Sequence, residues 1–241
     1  MTYNVGELSP IKRHWITKTA NIPMRFWGFE PSDILRDKGS FPEVVTHWVE
    51  DVTNGRVIKN PGDLGNTGVG LLFDGTPGLG KTTHAVTALT EVLRSLPDEE
   101  DELRKILHLS STDFGMRARP VYYITMTDLM WKKKAAWDAE GEERSKLIAE
   151  MEGFHGRSSD DRLNVRVMVI DDLGKEYGSK YDTVSFDEIL RSRYDQGLPT
   201  IITTNVQKEQ WAARYTAPMG SFVHEAFRQV KLTGPDLRTG K

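Results

Sequence analysis

The stretch Gly75-Thr76-Pro77-Gly78-Leu79-Gly80-Lys81-Thr82 decides the fold of this 241-residue chain. It fits GxxxxGK[ST], the pattern of a loop whose glycines let backbone N–H groups curl around phosphate oxygens. Lys81 brings a point charge to the β and γ oxygens, and the Thr82 hydroxyl is a ligand for Mg²⁺. The apolar run Val69-Gly70-Leu71-Leu72-Phe73 before the loop reads as a buried strand. From His84-Ala85-Val86-Thr87-Ala88-Leu89 onward the sequence reads as a helix, whose positive end faces the same anion. Strand, loop and helix together predict a site for ATP or ADP with Mg²⁺, held by residues Gly75 to Thr82 and the adjoining Thr83.

Further strands follow at intervals that leave room for helices. Pro120-Val121-Tyr122-Tyr123-Ile124-Thr125-Met126 has the β-branched and aromatic density of a second buried strand. Val165 and Val167-Met168-Val169-Ile170 give a third, Thr200-Ile201-Ile202-Thr203-Thr204 a fourth and Gln229-Val230-Lys231-Leu232-Thr233 a fifth. Between them, Thr127 or Asp128 suits the N-cap of a helix, and residues 129–152 read as one helix or as two broken near Gly141. Phe186, Ile189, Leu190 and Tyr194 mark one face of another. Short helices are expected at about 31–38 and 41–53, and the acidic run Asp98–Glu102 caps a surface loop or starts a helix. Strands alternating with helices predict an α/β fold, a five-stranded parallel sheet between helices.

Asp171-Asp172 follow directly on the four apolar residues of the third strand. A buried strand end tolerates paired negative charge poorly without a cation, so Asp171 is the expected Mg²⁺ carboxylate and Asp172 the group that polarises an attacking water. At the end of the fourth strand, Asn205 offers an amide to that water or to the γ-phosphate.

Composition bounds the alternatives. With 38% hydrophobic and 28% charged residues this is an ordinary globular sequence, and no apolar run approaches the ~18 residues of a membrane span. The first residues lack the layout of a signal peptide, so the expected location is cytoplasmic, without membrane contact. Zero cysteines exclude disulfides and thiol nucleophiles, and the six histidines show no metal-ligand spacing. A net charge of −3 means that nucleic acid, if bound, meets a local basic patch.

Taken together, these motifs resemble the AAA+ ATPases of the DnaC-type helicase-loader group, which includes DnaI-like and IstB-like members. The resemblance runs over roughly residues 20–241. It is carried by Ile22-Pro23-Met24-Arg25-Phe26, by Gly70 to Thr82, by Val169-Ile170-Asp171-Asp172-Leu173-Gly174-Lys175-Glu176, by Arg193-Tyr194 with Pro199 to Asn205, and by Gly234-Pro235-Asp236-Leu237-Arg238. It implies a short N-terminal extension at 1–20 and an AAA+ ATPase domain at 21–241. Asn205 is then sensor 1, Arg238 sensor 2 and Glu176 a second candidate for the base. Only 36 residues follow Asn205, which leaves no room for the helical lid of most AAA+ proteins, and loaders of this group lack that lid.

The group's trans-acting arginine, in the helix before the last strand, falls on Ala226 here, and Arg228 is the nearest candidate. A replicative helicase is the implied partner, although the loaders' separate helicase-binding domain has no counterpart in the residues preceding Ile22. Assembly as a homo-oligomer or helical filament on single-stranded DNA is also implied. Trp131-Lys132-Lys133-Lys134-Ala135-Ala136-Trp137 lies where such proteins face the strand and combines cationic charge with stacking surfaces. The same heptapeptide also suits an amphipathic helix with solvated lysines and core tryptophans. Two further readings stay open: a transposition ATPase of the IstB type acting on duplex DNA, and a mainly structural DNA-coating filament protein.

Overall fold

The computed structural model describes residues 8–36, 41–57, 68–109, 115–174 and 180–234. Five strands, β1 (Gly70–Asp74), β2 (Val121–Thr125), β3 (Val167–Leu173), β4 (Thr200–Thr204) and β5 (Phe227–Lys231), form one sheet in the order β2-β3-β4-β1-β5. All four pairings are parallel. Before β1 come α1 (Pro10–His14), α2 (Pro31–Arg36) and α3 (Glu43–Thr53); α4 (Lys81–Ser95) and α5 (Glu100–Leu107) join β1 to β2. The hairpin α6 (Met126–Asp138) and α7 (Gly141–His155) joins β2 to β3. Then α8 (Lys180–Asp195) leads to β4, and the short α9 (Trp211–Arg214) and α10 (Ala217–Ala226) lead to β5.

The period of two along each strand divides the core. Leu71, Phe73, Val121, Tyr123, Val167, Val169 and Ile201 face one layer, built from the N-terminal segment and α3 to α5. Leu72, Tyr122, Ile124, Met168, Ile170 and Ile202 face the other, built from α6 to α10. β1 and β4 approach closely at Gly70, where a side chain would stand 1.9 Å from the Thr200 carbonyl.

Elements expected from the sequence recur with shifted ends. β5 starts at Phe227, two residues early, because its pairing with β1 runs from Gly70↔Phe227 to Asp74↔Lys231. The helix expected from Thr127 or Asp128 is capped instead by Thr125. Its hydroxyl accepts the Asp128 N–H at 3.1 Å and donates to the Asp128 carboxylate at 2.7 Å. The 129–152 stretch is broken ahead of Gly141, which has φ +57°, so two helices form.

Residues 8–20, read as an extension, pack into the same layer as α4. Trp15, Ile16 and Ala20 are buried there, and the buried Lys12 donates to the Leu96 carbonyl at the end of α4 and pairs with Asp98 at 2.8 Å. The Tyr123 N–H donates to the Ala20 carbonyl at 2.8 Å, and the Asn21 amide donates to the Tyr123 carbonyl at 2.9 Å. The open edge of β2 is thus covered by this segment, as exposed edges in general must be.

On the far side, Arg193 of α8 is fully buried. Its guanidinium donates to the carbonyls of Phe154, Val165, Arg166 and Pro199 and to the Thr200 hydroxyl, at 2.8–3.2 Å. Burial, with Arg166 nearby, pulls its pKa down to about 9. His155 at the end of α7 is also buried, and desolvation first of all lowers its pKa from 6.5 to about 4. In the window between these values the unfolded chain binds the proton and the folded one does not, so stability rises with pH there. Urea unfolding at pH 7 and pH 5 is expected to show a loss toward acid that His155→Gln reduces.

Candidate nucleotide site

The loop after β1 has φ values of +149° at Gly75, +89° at Gly78 and +73° at Gly80, which L side chains rarely adopt. These turns bring the chain back over itself, with Thr76 and Pro77 outermost and Leu79 packed against Gly75. Gly80 then caps α4, whose first residues are Lys81, Thr82 and Thr83. The Lys81 ammonium lies inside the loop, donating to the carbonyls of Gly75 at 2.8 Å and Thr76 at 2.7 Å. One turn on, His84 Nδ1 is 2.9 Å from the Gly80 carbonyl, and burial lowers the pKa of its imidazole.

Asp171 is buried at the end of β3, and three hydroxyls converge on its carboxylate. Thr82 donates to it at 2.9 Å (Oδ1) and 3.1 Å (Oδ2), Tyr123 to Oδ2 at 2.7 Å and Thr203 to Oδ1. Burial, and then the charges of Asp171 and Asp172, push the Tyr123 phenol well above its ordinary pKa, so it remains a donor. Such an all-oxygen set built on one buried carboxylate suits Mg²⁺, which takes oxygen ligands and keeps much of its water. No group of three or more acidic, His or Cys residues suited to a metal occurs among the described residues.

Contrary to the expected end at Ile170, β3 continues through both aspartates. The pairing with β4 jumps between Ile170 and Leu173, and Asp172 takes up φ +60°. Its N–H donates to the Thr203 hydroxyl at 2.9 Å, the same hydroxyl that holds Asp171. This bulge sends consecutive aspartates to different tasks, with Asp171 inward and Asp172 to the cleft wall.

That cleft, of about 480 Å³, brings Lys81, Thr82 and Thr83 together with Asp172 and Asn205. Arg25, Phe26, Phe29, Asp33 and Ile34 line it too, three apolar side chains among two charged ones. Glu176 and Arg238 lie outside the described residues. Arg228 is not part of the cleft. It sits level with Leu71, three residues short of the strand ends, and bonds Asp51 of α3 at 2.5 Å.

On α6 both tryptophans are exposed, Trp131 by 68% and Trp137 by 74%. The buried stripe of this helix is Met126, Leu129 and Ala136, so neither indole is core. Lys132 pairs with Glu150 at 3.1 Å and Lys133 with Glu188 at 3.4 Å. Lys134 is exposed and has no ion pair among the described residues. Tyr123, Thr203 and the Phe26–Phe29 wall were not foreseen as site residues. Tyr123 and Thr203 read as strand filling, and only their alternation parity places them on the same face as the loop.

A parallel sheet in the order β2-β3-β4-β1-β5, with a glycine-rich loop after the fourth strand in that order and an acidic pair on its neighbour but one, makes an α/β P-loop fold. In sequence the chain is similar to the replicative helicase loader DnaC of Escherichia coli K12, 26% identical over 139 residues. The match takes in 58% of this chain and 43% of that relative, less than half the length of the curated loaders it resembles. Among solved structures it is similar to the DnaC helicase loader (TM-score 0.57, 22% identity, 88% of this chain and 100% of that one). It is also similar to DnaI (0.57, 18%, 88% and 95%) and to AMPPCP-bound DnaA from Aquifex aeolicus (0.50, 15%, 88% and 51%). No protein-family model matches the chain. The resemblance to DnaC-type AAA+ loaders expected from the motifs therefore stands, as does the fold. No helix of the described residues is long and apolar enough to cross a membrane.

Proposed function

We propose that the chain is an ATP-hydrolysing DNA-replication protein of the helicase-loader kind. It uses the cleft for ATP and ADP, and α6 for single-stranded DNA. The observation that carries this reading is the Thr82–Asp171 hydrogen bond between the start of α4 and the end of β3, with Asp172 and Asn205 on the same cleft. Thr82 and Asp171 would hold Mg²⁺, which would supply neutralisation of the phosphate charge. Lys81 binds the phosphates, Asp172 orients water for attack, and Asn205 steadies water or γ-phosphate. Glu176 remains the alternative base and Arg238 the candidate for sensing bound phosphate. Similarity to the replicative helicase loader DnaC supports a replicative helicase as partner, and the proposed working form is a homo-oligomer or helical filament. The intrachain pair with Asp51 argues for a structural task for Arg228.

Exposed indoles on α6 support the single-strand reading, since a base stacked on an aromatic ring contributes about 1–3 kcal/mol. With Lys132 and Lys133 already paired, stacking outweighs charge at this helix. Steady-state ATP hydrolysis measured alone, with single-stranded DNA and with duplex DNA at one salt concentration tests the assignment. Selective stimulation by single strands is expected, and a Trp131→Ala, Trp137→Ala protein should need about thirtyfold more DNA or above. Stimulation by duplex alone would favour the transposition-type reading, and ATP-locked filaments without turnover the structural one.

A further inference from the structure

The carboxylate of Asp171 is engaged by protein hydroxyls on both oxygens. A carboxylate offers about four lone-pair sites. Here three hydroxyl hydrogens take up most of them: Thr203 donates to Oδ1, Tyr123 to Oδ2, and the single Thr82 hydrogen is shared between the two. Thr82 and Thr203 belong to elements that adjoin the cleft directly. Tyr123 comes from β2, at the edge of the sheet, and its ring is buried with the hydroxyl 2.7 Å from Oδ2. Its backbone is fixed on both sides, by β3 through the Tyr123↔Val169 register and by Ala20 and Asn21. The phenol therefore approaches Asp171 from a rigid support.

We propose that Tyr123 is a specificity-determining positioning residue of the metal site: its hydroxyl keeps Oδ2 of Asp171 out of direct contact with the cation, which favours Mg²⁺ over Ca²⁺. The proposal rests on the nucleotide-site reading. Mg²⁺ retains water and tolerates a carboxylate that reaches it through that water, whereas Ca²⁺ takes six to eight oxygens and readily uses both oxygens of one carboxylate. A carboxylate tied by hydroxyls on both oxygens meets the first requirement and refuses the second. Residues hydrogen-bonded to metal ligands commonly change metal affinity 10–100-fold when replaced.

The test is binding of a fluorescent ADP analogue to the full chain, titrated with Mg²⁺ and with Ca²⁺. For Tyr123→Phe the ratio of half-saturating Ca²⁺ to half-saturating Mg²⁺ is expected to fall about tenfold. Affinity for the analogue in EDTA should stay as in the wild type, which certifies the fold. Thr203→Val, which removes a donor from Oδ1, should lower the same ratio, and Thr203→Ser should restore it. An unchanged ratio in Tyr123→Phe, with metal-dependent binding by the wild type, overturns the role of Tyr123 and leaves the nucleotide site intact. Absence of any nucleotide binding by the wild type overturns both.

Discussion

Asp172→Asn is expected to leave ATP binding within about threefold of the wild type while single-turnover hydrolysis falls by about 10²–10⁴, the usual contribution of a positioned acid–base group. Asparagine is the right probe because residue 172 sits at φ +60°, a conformation that Asn and Asp visit more readily than other side chains. The bulge, and the bond from its N–H to Thr203, should therefore survive the exchange. What is lost is the negative charge on the cleft wall. Lys81→Ala separates the two functions of the site, because the ammonium held at 2.7–2.8 Å inside the loop is the group the phosphates would meet. That variant should bind no measurable ATP. Unimpaired hydrolysis by Asp172→Asn would transfer the base to Glu176.

Arg193→Met is expected to lower unfolding stability by about 3–5 kcal/mol, the scale for removing one partner of a buried charged network. Over a chain of this size that corresponds to roughly 10 °C in the thermal midpoint. Exchanging a buried ion for an apolar side chain is tolerated when both partners go, but here the acceptors are backbone carbonyls and stay behind. Four of them, on Phe154, Val165, Arg166 and Pro199, would be left without this donor. Each unsatisfied buried group costs about 1–3 kcal/mol before relaxation. Arg193→Lys should fail almost as badly, since an ammonium has three donors on one point and the five acceptors surround a plane. Denaturant unfolding of both variants measures this. A loss below about 1 kcal/mol for Arg193→Met would mean that α7, β3 and β4 hold together without the guanidinium.

The glycine-rich loop, the acidic end of β3 and Asn205 were legible because their chemistry requires particular residue types at particular strand ends. The sheet was legible because each strand is an apolar run bounded by polar segments. Tyr123 and Thr203 escaped notice for a related reason: in a fully buried strand, a residue that supplies a hydroxyl to the site looks like one that only fills the core. No local pattern marks the bulge at Asp172, which arises where β3 must pair with Thr204 after skipping two residues. The Arg228–Asp51 pair was not legible, because sequence alone does not bring together residues 177 positions apart. The tryptophans of α6 could not be sorted into core and surface until α7 and the sheet had taken the Leu129–Ala136 side.

The cover on the β2 edge bears on how this protein can be trimmed or fused. A fragment begun at residue 21 would discard the Ala20 carbonyl that receives the Tyr123 N–H, together with buried Trp15 and Lys12. It would present a bare strand to any other chain with a free edge, beside an apolar hollow over α4. Residues 8–20 thus belong to the smallest autonomous unit, and a tag or partner domain is better joined ahead of them than in their place.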